Sequence, residues 1–236
     1  MKQIDVSIVV PALNEENYIE KTLKALKAQD FEGKFEIIVA DGDSEDKTVK
    51  IAKKYADKVV IEKTRTIAAG RQSGCRVATG KIIVFTDADS KAEKNWLRQL
   101  VEPFKDAGVV GTFGTLIFEE PTRVEKWACK TLFPFYLELF NWLGFSTGTG
   151  SNLAVRRDAY EHAGGFNVSL TTAEDIELLN RVRRFGKILF NRKAVVWVSP
   201  RRIRKWGWWK FFWYHAGNFA NVNLFNRGFG HYEAVR

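Results

Sequence analysis

The chain is long enough to bury a sizeable hydrophobic core, and its composition excludes several classes of protein. Of its 236 residues, 45% are hydrophobic and 28% are charged, which is ordinary for a globular protein and excludes a disordered chain. Cys75 and Cys129 lie far apart, so neither a disulfide framework nor a cysteine-based zinc site is expected. The net charge of +9 favours anionic partners such as nucleotides, nucleic acid or acidic lipid.

The first residues lead straight into an apolar strand. No charged leader with an apolar stretch and a cleavage site precedes Val6, so secretion is not expected. Together with the two separated cysteines, this predicts a protein of the reducing cytoplasm. Residues 131–145 are apolar but include Pro134 and Glu138 and are too short to span a membrane, so a buried or interfacial helix is expected there.

The first half of the chain alternates strands with helices. Strands are predicted at residues 6–10, 35–40, 58–61 and 81–85, and helices at residues 15–28, 45–55, 67–78 and 92–105. Ser44 is expected to cap the second helix. This alternation predicts an α/β protein with a doubly wound, mostly parallel sheet flanked by helices.

The second half loses this alternation. Predicted there are a strand at 108–118, an apolar helix interrupted by Pro134 at 124–145, a strand at 153–155, helices at 157–163 and 174–185, and a strand pair at 187–198. Because no linker or repeat interrupts the chain, one domain is expected over residues 1–200. Its nucleotide-binding half is residues 1–107 and its acceptor-binding half is 108–200, and an aromatic, basic helical segment is expected at 201–236.

Acids follow three of the predicted strands. Glu15 follows the first strand, Asp41 the second, and Asp87 and Asp89 the fourth. Because ligands of open parallel sheets bind at the carboxyl ends of the strands, one shared polar crevice is expected. Two carboxylates one residue apart suit a divalent cation that carries phosphates. The alternative at each strand end is a polar turn or a helix cap.

These features resemble the family 2 glycosyltransferases, which are inverting enzymes of GT-A fold that use nucleotide-diphosphate sugars. The resemblance covers about residues 6–200 and depends on an ordered set of elements at residues 11–16, 41–44, 70–74, 87–89, 148–152 and 174–175. It implies a metal-dependent transfer of a sugar from a UDP- or GDP-linked donor to an acceptor hydroxyl or phosphate. It also implies Mg²⁺ or Mn²⁺ as the cofactor.

The resemblance also implies roles for individual residues. For the nucleotide, it implies Pro11, Ala12, Leu13, Glu15, Asp41, Arg71 and Asp87. For the metal, it implies Asp89 together with Asp87, and for the donor sugar and acceptor it implies Gly148, Gly150, Ser151 and Asn152. The alternatives are a helix cap for Asp41, a solvated helix face for Arg71 and a plain turn for the glycine-containing loop.

Asp175 stands at the family's position for the general base, which takes the proton of the acceptor hydroxyl, and Glu174 would orient the acceptor beside it. The rival interpretation treats both as first-turn acids of a helix capped by Thr172. The chain departs from the family's processive synthases because it lacks their Gln-x-x-Arg-Trp motif, which argues against polymer extrusion. In its place lie three candidates to clamp the diphosphate, Arg202, Arg204 and Lys205.

Basic and aromatic side chains alternate over residues 201–214, a pattern that predicts peripheral contact with an anionic membrane. Such contact would bring the site to a lipid-linked acceptor at the cytoplasmic face; the alternative is packing against the catalytic domain or a second subunit.

Two other functions remain as alternatives. A sugar-phosphate nucleotidyltransferase would carry a glycine-rich loop where residues 11–16 contain no glycine. A non-enzymatic membrane- or nucleic-acid-binding module would leave the carboxylates unexplained, and no nucleic-acid partner is expected.

Overall fold

Eight strands form one sheet at the centre of the protein. The computed structural model describes residues 4–225, 228 and 229, so the remainder of the predicted C-terminal segment lies outside the described residues. The strands are β1 (Val6–Ala12), β2 (Phe35–Asp41), β3 (Lys58–Ile61), β4 (Ile82–Phe85), β5 (Ser90–Ala92), β6 (Val109–Phe118), β7 (Leu153–Arg156) and β8 (Lys187–Val198). Their order in the sheet is β3-β2-β1-β4-β7-β6-β8-β5.

Most of these strands run in one direction. β1 is parallel to β2 and β4, and β2 is parallel to β3. β7 runs antiparallel to both β4 and β6, so β6 returns to the direction of β1, and β8 is parallel to β6. Only β5, antiparallel to β8, shares the reversed direction of β7 among the described strands. The predicted single domain with a mostly parallel sheet is confirmed.

Helices cover both faces of the sheet. They are α1 (Ile19–Lys27), α2 (Thr48–Ala52), α3 (Ile67–Val77), α4 (Trp96–Val101), α5 (Arg123–Lys130), α6 (Leu132–Trp142), α7 (Arg157–His162), α8 (Glu174–Val182) and α9 (Arg201–Phe225). Short 3₁₀ turns follow α4 and α8. Helix α9 is kinked at Gly207, whose φ of 76° is not helical.

The core has two layers because neighbouring residues of a strand point to opposite faces. On one face, Ile8 packs with Leu23 of α1 and Trp96 of α4. On the other face, Val9 packs with Phe85 and with residues of α3, α7 and α8. A strand buried on both faces reads as a continuous apolar run, which is why β1, β2 and β4 were predictable.

Several local predictions are wrong, for identifiable reasons. Ser44 caps no helix, because α2 begins only at Thr48 and the Ser44 hydroxyl donates to Asp41 instead. The predicted strand pair at 187–198 is the single strand β8, which pairs with β6 through a register shift between Gly114 and Thr115. The predicted interruption at Pro134 falls instead between α5 and α6. Pro134 itself lies in the first turn of α6, where its missing N–H costs nothing.

Across residues 4–225, 228 and 229, none of the helices has both the length and the apolar character needed to cross a bilayer. Both cysteines, Cys75 and Cys129, are buried free thiols.

Candidate active site

The carboxyl ends of β1, β2 and β4 meet where the chain order of the sheet reverses, the usual ligand site of such sheets. Ala12, the last residue of β1, lies opposite Asp41, the last residue of β2, and the Gly42 N–H donates to the Ala12 carbonyl at 2.7 Å. Beside them, Pro11 packs against the third-helix residue Gly70, and Leu13 is half-buried. The predicted nucleotide residues Pro11 and Ala12 of β1, and Leu13 directly after it, thus lie at this edge.

Asp41 is fully buried in a closed turn. Its two carboxylate oxygens accept from the Ser44 N–H at 2.7 Å and from the Ser44 hydroxyl at 2.6 Å. Both oxygens are thus engaged within the turn, and the predicted contact of Asp41 with the nucleotide stays a prediction. Asp41 fixes the turn that joins β2 to the polar edge, and Ser44 also accepts the Asn14 N–H at 2.8 Å.

Asp87 and Asp89 both follow β4 and are each paired with an arginine. Asp87 accepts from Arg71 Nη2 at 2.9 Å and from the Ser151 hydroxyl. Asp89 lies 3.2 Å from Arg201 Nη2. Burial, together with the charge of Asp87, raises the pKa of Asp89 to about 6, although Arg201 opposes this shift. The predicted metal pair thus lies at one place, and each of its two carboxylates contacts a guanidinium group.

Arg201, at the start of α9 just after β8, forms an ion pair with Glu15, which follows β1. Its guanidinium donates to both oxygens of Glu15, at 2.5 and 3.2 Å, and lies 5.0 Å from the centre of the Tyr18 ring. Sequence reasoning placed Glu15 in the crevice but did not assign Arg201 to it. The place of Arg201 depends on β8 being a single strand parallel to β6, so that the residues after β8 emerge at the edge where β1 ends, whereas the sequence suggested a strand pair over residues 187–198.

The three predicted diphosphate clamps lie further along the same helix. Arg204 is exposed and donates to the Glu120 carbonyl at 3.3 Å. Arg202 is half-buried, with its guanidinium 5.8 Å from the centre of the Trp206 ring. Lys205 is exposed. Arg201, one position before this group, contacts Glu15 and Asp89.

Arg71 is buried at the centre of the site and links the two halves of the sheet. Only 3% of its side chain is exposed, and it donates to Asp87 after β4 and to Glu174 at the start of α8. This burial excludes the alternative of a solvated helix face and leaves no open surface for the predicted nucleotide contact. Burial raises the pKa of Glu174 above its usual range, against the opposing effect of Arg71. A Cβ at Gly150 would lie 2.2 Å from the Arg71 guanidinium, so the loop passes directly over this ion pair.

Asp175 points away from its neighbour Glu174 and toward the glycine-containing loop. Its carboxylate oxygens accept from the Gly150 N–H at 2.6 Å and from the Ile176 N–H at 2.8 Å. Ala173, just before the helix, has a φ of 55°, a left-handed conformation that costs energy for a residue with a side chain. Thr172 is not the cap, since its hydroxyl bonds Asn218 and the carbonyl of Phe229 instead.

The loop itself is only partly as predicted. The Ser151 hydroxyl donates to Asp87. A Cβ at Gly148 would lie 2.6 Å from Leu179, so a larger residue would not fit there. The side chain of Asn152 is turned into the core, so its predicted contact with the sugar or acceptor stays a prediction. This side chain is fully buried, accepts from Trp96 Nε1 at 2.8 Å and donates to two backbone carbonyls, so its amide is fully used in joining β6, β7 and β8.

A divalent cation with a nucleotide fits the chemistry of Asp87 and Asp89. Mg²⁺ and similar hard cations take oxygen ligands and, with phosphates present, need only one or two protein carboxylates. Within the described part of the chain, no group of three or more His, Cys, Asp or Glu side chains converges on a possible metal position. A closed cage made entirely of protein ligands is therefore not found there, and an open site completed by phosphates is the arrangement these residues suit.

Comparison with known proteins identifies the family. The family model described as "Glycosyl transferase family 2" matches residues 7–164. The chain belongs to glycosyl transferase family 2. It is 30% identical to the probable glycosyltransferase YdaM of Bacillus subtilis over 95% of this chain and 57% of YdaM. It is 28% identical to the glucosyl-dolichyl phosphate glucuronosyltransferase of Haloferax volcanii over 70% of this chain and 56% of that protein. The chain thus spans little more than half the length of these relatives.

Solved structures show the same fold. TarS of S. aureus in complex with UDP superposes with a TM-score of 0.69 at 19% identity, covering 95% of this chain and 66% of that one. The mannosyltransferase PcManGT of Pyrobaculum calidifontis, in complex with GDP-Man and Mn²⁺, also gives 0.69, at 22% identity, with 83% of this chain and 57% of that one covered. The chain therefore has the GT-A fold that its sequence predicted.

Proposed function

We propose that this glycosyltransferase is metal-dependent and inverting, and moves a sugar from a UDP- or GDP-linked donor to an acceptor hydroxyl or phosphate. The observation that carries the proposal is the convergence of Asp87 and Asp89 after β4 with Asp175 at the start of α8, joined through Arg71, Gly150 and Ser151. This convergence supports a diphosphate-metal site and, beside it, a carboxylate for the acceptor at one edge of the sheet.

The charges of the crevice support a cation there. Its five acids are Glu15, Asp87, Asp89, Glu174 and Asp175, and the arginines in contact with them are Arg71 and Arg201. This excess of carboxylate over guanidinium repels a bare diphosphate but accommodates one that arrives with a divalent cation. Asp87 and Asp89 would hold the cation, which when bound stabilises the charge of the departing diphosphate.

Asp175 is the group best held for proton abstraction. Backbone N–H groups fix both of its oxygens, yet the side chain stays half-exposed at the mouth of the crevice. In a single displacement, the acceptor oxygen forms its bond to the anomeric carbon while the bond to the diphosphate breaks, and the acceptor proton passes to Asp175. Glu174 is less suited to accept this proton, because it is buried against Arg71.

A lipid-linked acceptor is supported by helix α9. Four large aromatic side chains on α9 are between 51% and 75% exposed, namely Trp208, Trp209, Phe212 and Trp213. Aromatic rings beside lysine and arginine favour the surface of an anionic bilayer. The same helix begins at Arg201 inside the crevice, so a membrane-bound α9 would hold the site close to the lipid surface. The name of one relative includes a dolichyl phosphate, which is consistent with this acceptor class.

The experiment that tests the chemistry replaces Asp175 by Asn, which preserves shape but removes the base. Turnover with a panel of UDP- and GDP-sugars, offered with membrane lipid extract as acceptor, should fall by roughly 10² or more. Affinity for UDP or GDP with Mn²⁺, measured by calorimetry, should stay within about threefold of wild type. Asp30→Asn, at an exposed acid paired with Arg98, is the matched control and should leave both quantities unchanged. Turnover of Asp175→Asn close to wild type would remove Asp175 from this role.

A further inference from the structure

A stripe of large apolar side chains on α6 faces solvent. Leu132, Phe135, Leu139 and Trp142 are 54%, 62%, 39% and 80% exposed. Their spacing of three, four and three residues places them on one side of a helix. Nearly all of this side is apolar, whereas a surface helix of a globular protein normally buries its apolar stripe. Large exposed apolar patches of this kind mark contacts with another surface.

The other side of α6 connects the stripe to α9. Tyr136 and Phe140 contact Phe219 of α9, with ring centres 6.3 and 5.4 Å apart, and Leu137 is buried against the sheet. The exposed side of α6 and the exposed aromatic side chains of α9 therefore belong to adjacent, packed helices. Trp127 of the preceding helix, 57% exposed, adds an aromatic side chain at the start of the same surface.

The charge of this region suits an anionic surface. Residues 123–145 and 202–225 contain seven lysines and arginines but only two acids, both glutamates. They account for a formal charge of +5 out of the +9 of the whole chain; Arg201 is left out because it lies in the crevice against Glu15 and Asp89. One of the glutamates, Glu138, is paired with Arg192, and the other, Glu125, caps α5. Cations beside Trp, Phe and Leu match the headgroups and upper acyl chains of an anionic bilayer.

The stripe is also close along the chain to the proposed acceptor side of the crevice. Eight positions along the chain separate Trp142 from Gly150, whose N–H binds Asp175. We propose that the exposed stripe of α6 is a second bilayer-contacting element, and that it lies against the lipid surface beside α9 so that a lipid-linked acceptor reaches Asp175 from the α6 side. This inference depends on the membrane contact of the proposed function but concerns a different helix.

The test compares matched double substitutions in the full chain. The α6 variant is Phe135→Ser with Trp142→Ser, and the α9 variant is Trp209→Ser with Phe212→Ser. The control removes two exposed apolar side chains from other surfaces, Ile61→Ser with Phe185→Ser, which are 48% and 49% exposed. Co-sedimentation with phosphatidylglycerol vesicles and with phosphatidylcholine vesicles measures partition, and circular dichroism with a thermal melt checks folding.

Wild type and control should bind the phosphatidylglycerol vesicles equally, and less at high salt. The α6 variant should bind them at least about tenfold more weakly while folded, because two large side chains no longer enter the interface. If the α6 variant binds like wild type while the α9 variant does not, the α6 proposal is wrong and the contact of α9 stands. If folded wild type binds neither vesicle, both membrane statements are wrong, and the Asp175 experiment still tests glycosyl transfer separately.

Discussion

Replacing Arg71 by methionine should destabilise the fold in a way that depends on pH. Methionine keeps a long side chain in the buried position on α3 but removes the charge that faces Asp87 and Glu174. Removing one partner of a buried ion pair costs about 3–5 kcal/mol, because the remaining charge stays buried without compensation. Asp87 is one-third exposed and keeps the Ser151 hydroxyl, so Glu174, with 6% of its side chain exposed, carries most of the cost.

The pH dependence follows from the state of Glu174 in the variant. Without Arg71, burial and the nearby Asp175 both raise the folded pKa of Glu174 above its unfolded value, so the native state binds more protons than the unfolded state. The stability of the variant should then fall as pH rises from about 4.5 toward that raised pKa, and stay low above it. The full loss of about 3 kcal/mol or more is expected near about pH 8, and a smaller loss near about pH 5.

Urea unfolding followed by circular dichroism at the two pH values measures this free energy. The double variant Arg71→Met with Glu174→Gln should recover much of the loss, since neither buried group then carries a charge. Arg76→Met, on the exposed part of the same helix, is the control and should change stability by no more than about 0.5 kcal/mol. A loss below about 1 kcal/mol for Arg71→Met near about pH 8, or no recovery in the double variant, would show that the Arg71 ion pairs do not hold the site together.

Two further predictions concern single carboxylates. Asp89→Asn should weaken UDP or GDP binding in the presence of Mn²⁺ by about tenfold or more, and EDTA should do the same to wild type; unchanged affinity in calorimetry would contradict the metal assignment. Burial alone would raise the pKa of Glu36, but hydrogen bonds from Lys58, Thr79 and Ser7 lower it to about 2, so its contribution to stability is present above about pH 4.5 and is lost as pH falls toward about 2. The acid-induced loss of unfolding free energy in this range should therefore be about 3 kcal/mol smaller in Glu36→Gln than in wild type, and equal losses in the two proteins would refute the assignment.

The parallel strands could be predicted from the sequence because their residues are buried on both faces. Val6–Ala12 and Phe35–Asp41 are mostly apolar, each with one buried polar residue near its start, Ser7 and Glu36, and polar residues follow at the edge of the sheet. The short strand Ser90–Ala92 could not be predicted. Three residues carry no period, and the strand with which they pair among the described residues is β8, 104 positions later at the Ala92–Val196 pair. Long-range pairing, rather than local preference, defines such a strand.

The acids of the crevice were predictable for the same reason, and the arginine at the start of α9 was not. Glu15 and Asp89 follow strands whose common direction could be inferred from the βαβ alternation. Arg201 follows β8, and its place depends on β8 being one strand that shares this direction. A pair of strands over residues 187–198, as the sequence suggested, would have returned the chain to the opposite edge and taken Arg201 away from Glu15.

The burial of Arg71 has a local cause that is visible in the sequence, namely the small residues around it on α3. Two glycines one helical turn apart, Gly70 and Gly74, face the sheet from α3, and a Cβ at Gly74 would lie 2.5 Å from Val9. Alanine residues Ala68 and Ala69 are buried on the same helix, so α3 approaches the strands more closely than a helix with large side chains could. Because α3 lies this close to the sheet, the neighbouring Arg71 is buried. A long cation within a run of small residues at the sheet is therefore expected to meet buried carboxylates, because an uncompensated guanidinium could not remain there.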